Sequence, residues 1–231
     1  MHLAARIDHT LLRPDATRAE IITLCAEARQ HGFATVCVPP WFVAEAAAQL
    51  HGSGVGVCTV VGFPLGYQMP TVKVIEAERA LHDGATEVDM VLNIATFKSG
   101  EDAVCAEEIA ALAAVCHEGG AALKVIIETA LLTDADIIRA GRLAAEAGAH
   151  FVKSSTVFAA RGASVDDIRL LRAHLPAHTR IKAAGGIRTR AQAEALLAAG
   201  ADRLGCSASV AIVTSLPEPT APAPDANASV Y

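Results

Sequence analysis

The sequence predicts an α/β protein: a single-domain (β/α)8 TIM barrel over residues 1–216. Three observations predict this fold. Helix-like and strand-like segments alternate along the whole chain, which requires right-handed crossovers and a parallel sheet. Residues 1–216 of the 231 leave room for seven or eight such units and few insertions, and a barrel closes every strand edge. An open doubly wound sheet is the alternative, but the chain lacks Gly-x-Gly-x-x-Gly after its first strand.

The predicted strands are short apolar or β-branched runs bounded by glycine and polar residues. In chain order they are 33–38, 55–61, 87–91, 122–127, 150–153, 180–183 and 202–205, and the opening segment 7–10 could be an eighth.

The predicted helices begin at capping boxes, in which a hydroxyl residue is followed three positions later by an acid or amide. Helix ends are predicted at glycines, because the terminal left-handed conformation is easiest for glycine. The boxes are Thr17 with Glu20, Thr133 with Asp136, Ser164 with Asp167, and Thr189 with Gln192. The helix-ending glycines are Gly32, Gly84, Gly119, Gly148 and Gly200.

Composition excludes several classes of protein. The net charge is −6 and no basic block occurs, so we do not expect a nucleic acid partner. No apolar stretch resembles a signal peptide or a membrane helix, which predicts no membrane association. The six cysteines are dispersed without Cys-x-x-Cys, so free thiols in the cytoplasm are expected. The nine histidines show no metal-ligand spacing, and we expect neither a metal nor a cofactor.

The carboxyl-terminal residues 217–231 depart from the repeating pattern. They contain four prolines and little that could be buried, which predicts a disordered tail. An inert end is the simpler interpretation, although a mobile tail could carry the phenol of Tyr231 to an active site.

Two of only five lysines, Lys153 and Lys182, end successive predicted strands. A lysine with a pKa near 10.4 is almost always protonated at pH 7, but a neighbouring ammonium and desolvation can lower that pKa to about 7–8. The neutral amine can then condense with a carbonyl to give an iminium, an electron sink for C–C cleavage. Asp89, inward-facing on its strand, could shuttle protons. The alternatives are lysines that extend to solvent and an aspartate that only neutralises them.

Small residues follow the last two strands. Gly185 and Gly186 precede a helix start, and Gly205 and Ser207 follow the next strand, where many barrels bind phosphate. Arg188 is either a phosphate partner or a surface residue. Cys37 is either a pocket nucleophile or, more simply, a buried inert thiol.

The chain resembles the deoxyribose-phosphate aldolase family of class I, metal-independent aldolases. The resemblance runs from about residue 7 to residue 212 and includes Ile7-Asp-His-Thr-Leu-Leu12, Val61-Gly-Phe-Pro-Leu-Gly66, Leu123-Lys-Val-Ile-Ile-Glu-Thr129, Phe151-Val-Lys-Ser-Ser-Thr156 and Ile181-Lys-Ala-Ala-Gly-Gly-Ile-Arg-Thr189. It implies a (β/α)8 barrel that reversibly cleaves 2-deoxy-D-ribose 5-phosphate to acetaldehyde and D-glyceraldehyde 3-phosphate, in a dimer or larger homo-oligomer.

The resemblance also implies site roles. Lys153 would be the Schiff-base lysine, Lys182 the lysine that perturbs it and Asp89 the proton-relay acid. Asp8 and Thr10 would contact substrate hydroxyls, and Cys37 would lie near the aldehyde. The residues matching the phosphate and sugar end are Thr156, Gly185, Gly186, Gly205 and Ser207.

Departures from the family pattern cluster at the phosphate end. Val157 stands where the family usually has glycine, and residues 205–209 read Gly-Cys-Ser-Ala-Ser. A β-branched valine does not easily adopt positive φ and shields its own N–H, so we expect weaker phosphate binding. Two other functions stay open: a non-covalent sugar-phosphate isomerase or synthase, and a non-catalytic sugar-phosphate-binding barrel.

Overall fold

The computed structural model describes residues 3–215, which form one closed barrel of eight parallel strands with the order β1-β2-β3-β4-β5-β6-β7-β8. The strands are β1 (Ile7–Thr10), β2 (Thr35–Val38), β3 (Gly56–Val61), β4 (Glu87–Val91), β5 (Ala122–Ile126), β6 (Phe151–Lys153), β7 (Arg180–Ala184) and β8 (Arg203–Cys206). The helices are α1 (Arg18–His31), α2 (Val43–Leu50), α3 (Pro70–His82), α4 (Ile94–Lys98), α5 (Asp102–Glu118), α6 (Asp134–Glu146), α7 (Val165–His174), α8 (Arg190–Ala198) and α9 (Ser209–Thr214).

The barrel confirms the predicted fold class, and the seven predicted strands and the opening segment are all present as strands. Their ends shift by one or two residues. Phe33 and Ala34, predicted to open β2, instead precede it, and Phe33 donates its N–H to the carbonyl of Ala28 at the end of α1. Its apolar ring is buried, so hydrophobicity alone could not separate it from the strand.

All four predicted caps exist, but only two are reciprocal. The Thr17 box with Glu20 and the Thr189 box with Gln192 make both hydrogen bonds. Thr133 and Ser164 accept from the backbone at N3 without the return bond. In the Ser164 cap the acid at N3, Asp167, is bound by Arg161 instead (Nη1–Oδ2 2.5 Å).

The predicted left-handed glycine at Gly119 is wrong. Gly119 has φ −78°, and the positive φ falls on Gly120, at +67°. The helix ends before Gly119 as predicted, but both residues are glycines, so the sequence offers no steric reason to prefer one for the left-handed conformation.

Two different cores result from the alternation of side chains along each strand. Outward-facing residues such as Val88 and Met90 pack against the helices in one apolar core. Inward-facing residues of the same strand are charged: Glu87 and Asp89 point into the barrel, where they meet Lys124. The barrel interior therefore contains the ion pairs, and most of the apolar packing lies outside it.

Phe151 is buried at the amino-terminal end of the barrel. Its ring lies under the Arg180 guanidinium, with 4.0 Å between guanidinium carbon and ring centroid, and also faces Arg203 and Lys124 at 5.6 and 5.8 Å. Through these cation–π contacts the ring packs against the buried charges from the amino-terminal side.

Between residues 3 and 215, no helix is long and apolar enough to cross a membrane. The predicted tail, 217–231, and its Tyr231 lie outside the described residues.

Candidate active site

Asp89 on β4 is the centre of the buried charges inside the barrel. Its Oδ2 accepts from Lys153 and Lys182, each Nζ lying 2.8 Å away, and its Oδ1 accepts from Lys124 at 2.7 Å. The three lysines end or lie within β5, β6 and β7, so consecutive strands bring them together. Asp89 is fully buried and Lys153 is 3% exposed. The predicted grouping of Lys153, Lys182 and Asp89 is thus present, with a third amine added.

A second layer of charges lies below Asp89, towards the amino-terminal end of the barrel. Asp8 on β1 contacts Lys182 and Arg203, with 2.5 Å between the closest atoms of each pair. Glu87 contacts Lys124 at 2.6 Å and Arg203 at 3.2 Å. Both Asp8 oxygens are therefore directed at cations, and the carboxylate is fully buried. The predicted contact of Asp8 with a substrate hydroxyl stays a prediction.

The cluster fixes the charge of its members. Burial opposes ionisation of Asp89, but the ammoniums of Lys124, Lys153 and Lys182 outweigh it and hold the pKa of Asp89 well below its ordinary value. Burial likewise opposes the charge of Lys182, yet Asp8 and Asp89 raise its pKa well above that of a free lysine. At neutral pH Asp89 is a carboxylate and Lys182 an ammonium.

The cluster contains one more cation than anion. Desolvation makes this net buried charge costly. Within residues 3–215, Lys153 contacts a single carboxylate, whereas Lys182 contacts two and Lys124 contacts two at under 3 Å. Among the three lysines, Lys153 therefore makes the fewest ion pairs. The cations are Lys124, Lys153, Lys182 and Arg203, and the anions are Asp8, Glu87 and Asp89.

Sequence analysis missed Lys124, Glu87 and Arg203. A signal existed for Lys124, which interrupts the apolar run of β5 as Lys153 interrupts β6. Glu87 and Arg203 open their strands, where a charged residue usually faces solvent, and no pattern marks them as buried.

A cavity of about 380 Å³ opens above the cluster, at the carboxyl ends of the strands. Its lining includes six residues predicted to bind substrate and two arginines, Arg13 and Arg188. Small-molecule sites usually have about this volume or more. Asp8 and Cys37, the other two residues predicted to bind substrate, are fully buried and do not line the cavity, and neither do Asp89, Lys153 and Lys182. The six predicted residues are Thr10, Thr156, Gly185, Gly186, Gly205 and Ser207.

Comparison with known proteins identifies the family. The sequence pattern of the DeoC/LacD family aldolases matches residues 3–211. The chain belongs to this aldolase family. It is 49% identical over 214 residues to the deoxyribose-phosphate aldolase of Desulfitobacterium hafniense (strain DSM 10664 / DCB-2), covering 93% of this chain and 98% of the relative. It is 48% identical to that of Geobacillus sp. (strain WCH70), covering 92% and 95%.

Solved structures agree with the sequence comparison. The tetrameric deoxyribose phosphate aldolase of Aeropyrum pernix superposes with a TM-score of 0.86 at 33% identity, covering 91% of this chain and 89% of that one. The family resemblance predicted from the motifs is confirmed, and the chain is an aldolase, a carbon–carbon lyase.

Gly205 connects the two parts of this aldolase site. It lines the cavity, and a Cβ added to it would lie 3.1 Å from Cε of Lys182 and 3.1 Å from the Ala184 side chain. Because Gly205 has no side chain, the Lys182 side chain can lie against it. This role of Gly205 is in addition to the one predicted at the phosphate end.

We expect Gly205→Ala to displace the Lys182 amine by a few tenths of an ångström and lower kcat by about tenfold, since small misplacements of reacting groups are costly. Steady-state kinetics of aldol cleavage measures this. Gly120→Ala is the matched control: it has positive φ but no contact within 4 Å, so it should cost stability without changing kcat. An unchanged kcat in Gly205→Ala would contradict the assigned role.

The loop after β6 is fixed by Glu128, a buried residue that sequence reasoning did not assign to the site. Glu128 Oε2 accepts from both the N–H (3.0 Å) and the hydroxyl of Thr156. The Thr156 hydroxyl also accepts from the Phe158 N–H at 3.1 Å. Because the Thr156 hydroxyl already donates its hydrogen to the Glu128 carboxylate, this hydroxyl can only accept a further hydrogen bond from a ligand in the cavity.

Val157 in the same loop has φ +79°, contrary to the expectation that valine avoids this region. The loop enforces it, because the flanking Thr156 is held by Glu128 while the Val157 N–H donates to Ser155 Oγ at 2.9 Å. A β-branched residue in this conformation is strained by about 1–3 kcal/mol. The N–H of Val157 is therefore already used within the loop.

Cys37, Cys58 and Asp89 place potential metal-ligand atoms within 4.8 Å of one another. The surroundings do not suit a cation. Asp89 already accepts from three ammoniums, and Lys124 Nζ also lies 3.3 Å from the Cys58 sulfur. A metal ion would add positive charge to a cluster that already has an excess of it.

Proposed function

We propose that this aldolase cleaves 2-deoxy-D-ribose 5-phosphate to acetaldehyde and D-glyceraldehyde 3-phosphate through a Schiff base on Lys153. One observation carries the proposal: the amines of Lys153 and Lys182 lie 2.8 Å from the same oxygen of Asp89, in a buried cluster with one excess cation. In the proposed mechanism Lys153 would be the reacting amine of this arrangement and Lys182 the proton donor. The relatives' names support the substrate.

The proposed cleavage begins when the Lys153 amine adds to the C1 aldehyde of the open-chain sugar. Loss of water from the carbinolamine gives an iminium at C1. The C3 hydroxyl then loses its proton and the C2–C3 bond breaks, with its electron pair becoming the enamine double bond, and the three-carbon aldehyde leaves. Protonation of the enamine at C2 and hydrolysis release acetaldehyde and restore the amine.

Asp89 and Lys182 would serve the proton transfers together. The low pKa of Asp89 keeps it a carboxylate, so it is suited to bridge two amines rather than to store a proton. A proton can pass from Lys182 to the Lys153 adduct through the shared oxygen Oδ2.

The lining of the cavity suits the phosphorylated half of the proposed substrate. Gly185 and Gly186 have consecutive positive φ angles of 96° and 75° before α8, a backbone form that suits close approach of an anion, and Arg188 lies beside them. Gly185 also packs against Gly162, whose Cα would be 2.8 Å from an added Cβ, so this glycine is needed for loop packing as well.

Borohydride reduction in the presence of acetaldehyde tests the proposal. We expect a reduced two-carbon adduct on Lys153, located by peptide mass spectrometry. Adduct on Lys182 or Lys124 would reverse the assignment. No adduct would eliminate the Schiff base and favour the non-covalent isomerase or synthase, or the non-catalytic binding barrel.

Val157→Gly should raise the preference for phosphorylated over plain deoxyribose by about tenfold, the equivalent of one hydrogen bond to phosphate. Glycine removes the strain at φ +79° and lets the backbone rotate, so that the N–H which donates to Ser155 Oγ can turn to the phosphate instead. The ratio of the two kcat/KM values measures it. Val157→Ala, which keeps a Cβ, is the control and should stay near the wild-type ratio. Equal ratios in the wild type and Val157→Gly would sink the idea.

The homo-oligomer and the cytoplasmic location stay predictions. A group of exposed apolar side chains on and before α3, namely Leu65, Tyr67, Met69, Val72 and Ile75, supports self-association. Light scattering after size exclusion tests it, and a monomer at micromolar concentration would contradict it.

A further inference from the structure

Arg203 and Glu87 are charged members of the cluster that lie away from the cavity. Both open their strands at the amino-terminal end of the barrel, and neither lines the cavity. Arg203 Nη1 contacts Glu87 Oε2 at 3.2 Å and Asp8 Oδ1 at 2.5 Å. Their side chains are only 13% and 14% exposed. They lie at the opposite end of the barrel from the cavity, yet both belong to the same ion network as Lys153.

We propose that Arg203 and Glu87 are positioning residues which set, through their charges, the pH range in which Lys153 is a neutral nucleophile. The inference rests on the proposed function only in taking Lys153 as the reacting amine. The effect of the two charges on the protonation of Lys153 is a property of the cluster, and it can be measured without turnover.

The number of charges in the cluster determines the direction of each effect. Four cations face three anions, so loss of the Lys153 proton leaves three of each. Removing the Arg203 charge would give a neutral cluster with Lys153 still protonated, which favours the unreactive form. Removing the Glu87 charge would increase the excess and favour the neutral amine. Inside the barrel such effects reach beyond contact distance, because little solvent screens them.

Contacts transmit each effect towards Lys153. Arg203 acts through Asp8, which contacts Lys182, and Lys182 shares Oδ2 of Asp89 with Lys153. Glu87 acts through Lys124, which contacts Oδ1 of the same carboxylate. Both series of contacts therefore reach Asp89, one at Oδ2 and the other at Oδ1.

Other titratable groups also face the cluster. Burial raises the pKa of Cys58, and raises that of Cys206 to about 12, so both are thiols. A hydrogen bond with Cys58 lowers the pKa of Cys37, and a Cys37→Ser background removes that thiol from every comparison. The outer groups are Glu128 beyond β5, His150 before β6 and Arg180 at the start of β7.

The test is a set of four variants in the Cys37→Ser background: Arg203→Met, Arg203→Lys, Glu87→Gln, and the double variant Arg203→Met with Glu87→Gln. The acid limb of the kcat/KM–pH profile should move to higher pH in Arg203→Met and to lower pH in Glu87→Gln, each by about one unit. Arg203→Lys keeps the charge and should keep the limb within a few tenths of a unit. The double variant restores one excess cation and should return towards the parent.

A merely structural role predicts something else: lower activity without a shift, or shifts in one common direction, and Arg203→Lys as impaired as Arg203→Met. Either result overturns the inference. Glu87→Gln and Arg203→Lys stand as an independent pair if Arg203→Met does not fold.

A second measurement separates the inference from the proposed function. The pH dependence of Lys153 modification by a small amine-reactive reagent, followed by peptide mass spectrometry, requires no catalysis. Opposite shifts there support the charge argument even if acetaldehyde and borohydride leave no adduct. An adduct on Lys153 with unshifted modification profiles would keep the proposed function and refute the role of Arg203 and Glu87.

Discussion

Lys153→Met should lower aldol cleavage by at least about 10⁴-fold while leaving the protein as stable as before, or more stable by about 1 kcal/mol. The loss follows from removing the nucleophile. The stability follows from the cluster, in which Lys153 supplies the excess cation and, of the acids between residues 3 and 215, contacts only Asp89. Kinetics with the phosphorylated sugar, together with urea unfolding, measures both quantities.

Lys98→Met is the matched control for this prediction, since Lys98 is an exposed lysine on α4, and the same substitution there should leave kcat unchanged. A Lys153→Met protein that keeps about a tenth of the activity would show that another amine reacts. A loss of several kcal/mol in stability would show that Lys153 is a structural partner of Asp89 rather than the excess charge.

Asp89→Asn should remove both activity and stability. The side chain accepts three ammonium contacts, and without its charge three lysines face each other with only Asp8 and Glu87 nearby. Breaking a buried ion pair in this way costs about 3–5 kcal/mol. Urea unfolding at pH 7 measures the stability, and borohydride trapping measures the remaining amine reactivity.

The same ion pairs also predict how the free energy of unfolding changes with pH. The pKa of Asp89 in the folded chain lies well below that in the unfolded chain, so its stabilisation is fully present above about pH 5 and is lost as the pH falls. The stability of Asp89→Asn should therefore decline less steeply than that of the wild type below about pH 4. Asp166→Asn, whose side chain is 92% exposed, should retain the wild-type dependence. Parallel acid limbs for the wild type and Asp89→Asn would contradict the ion-pair geometry.

The fold was largely predictable, because each barrel unit leaves a local signal. A capping residue such as Thr17 or Thr189 opens a helix, and a short β-branched run such as residues 57–61 indicates a strand. Errors arose where two residues satisfy the local rule equally, as Gly119 and Gly120 do at the end of α5. Which glycine takes the left-handed conformation depends on where helix packing stops.

The upper half of the ionic cluster was also predictable, since lysine at the end of an apolar strand is unusual enough to need a cause. The lower half was not. Glu87 and Arg203 are buried only because the closed barrel places β4 and β8 around one interior, and this is a property of the whole ring of strands. The conformation of Val157 was mispredicted for a similar reason: intrinsic preference favours negative φ, but contacts made by Glu128 and Ser155 decide it.

The distribution of lysines has a practical consequence for chemical coupling. Lys73 is also fully buried, so four of the five lysines are inaccessible to a bulky reagent. Lys98 is exposed, and its amine donates to the carbonyl of Leu131 in the loop after β5, at the same end of the barrel as the cavity. A resin that couples to surface lysines would therefore attach the enzyme beside its own entrance. Coupling through arginines would have the same result, because Arg13 and Arg188 line the cavity.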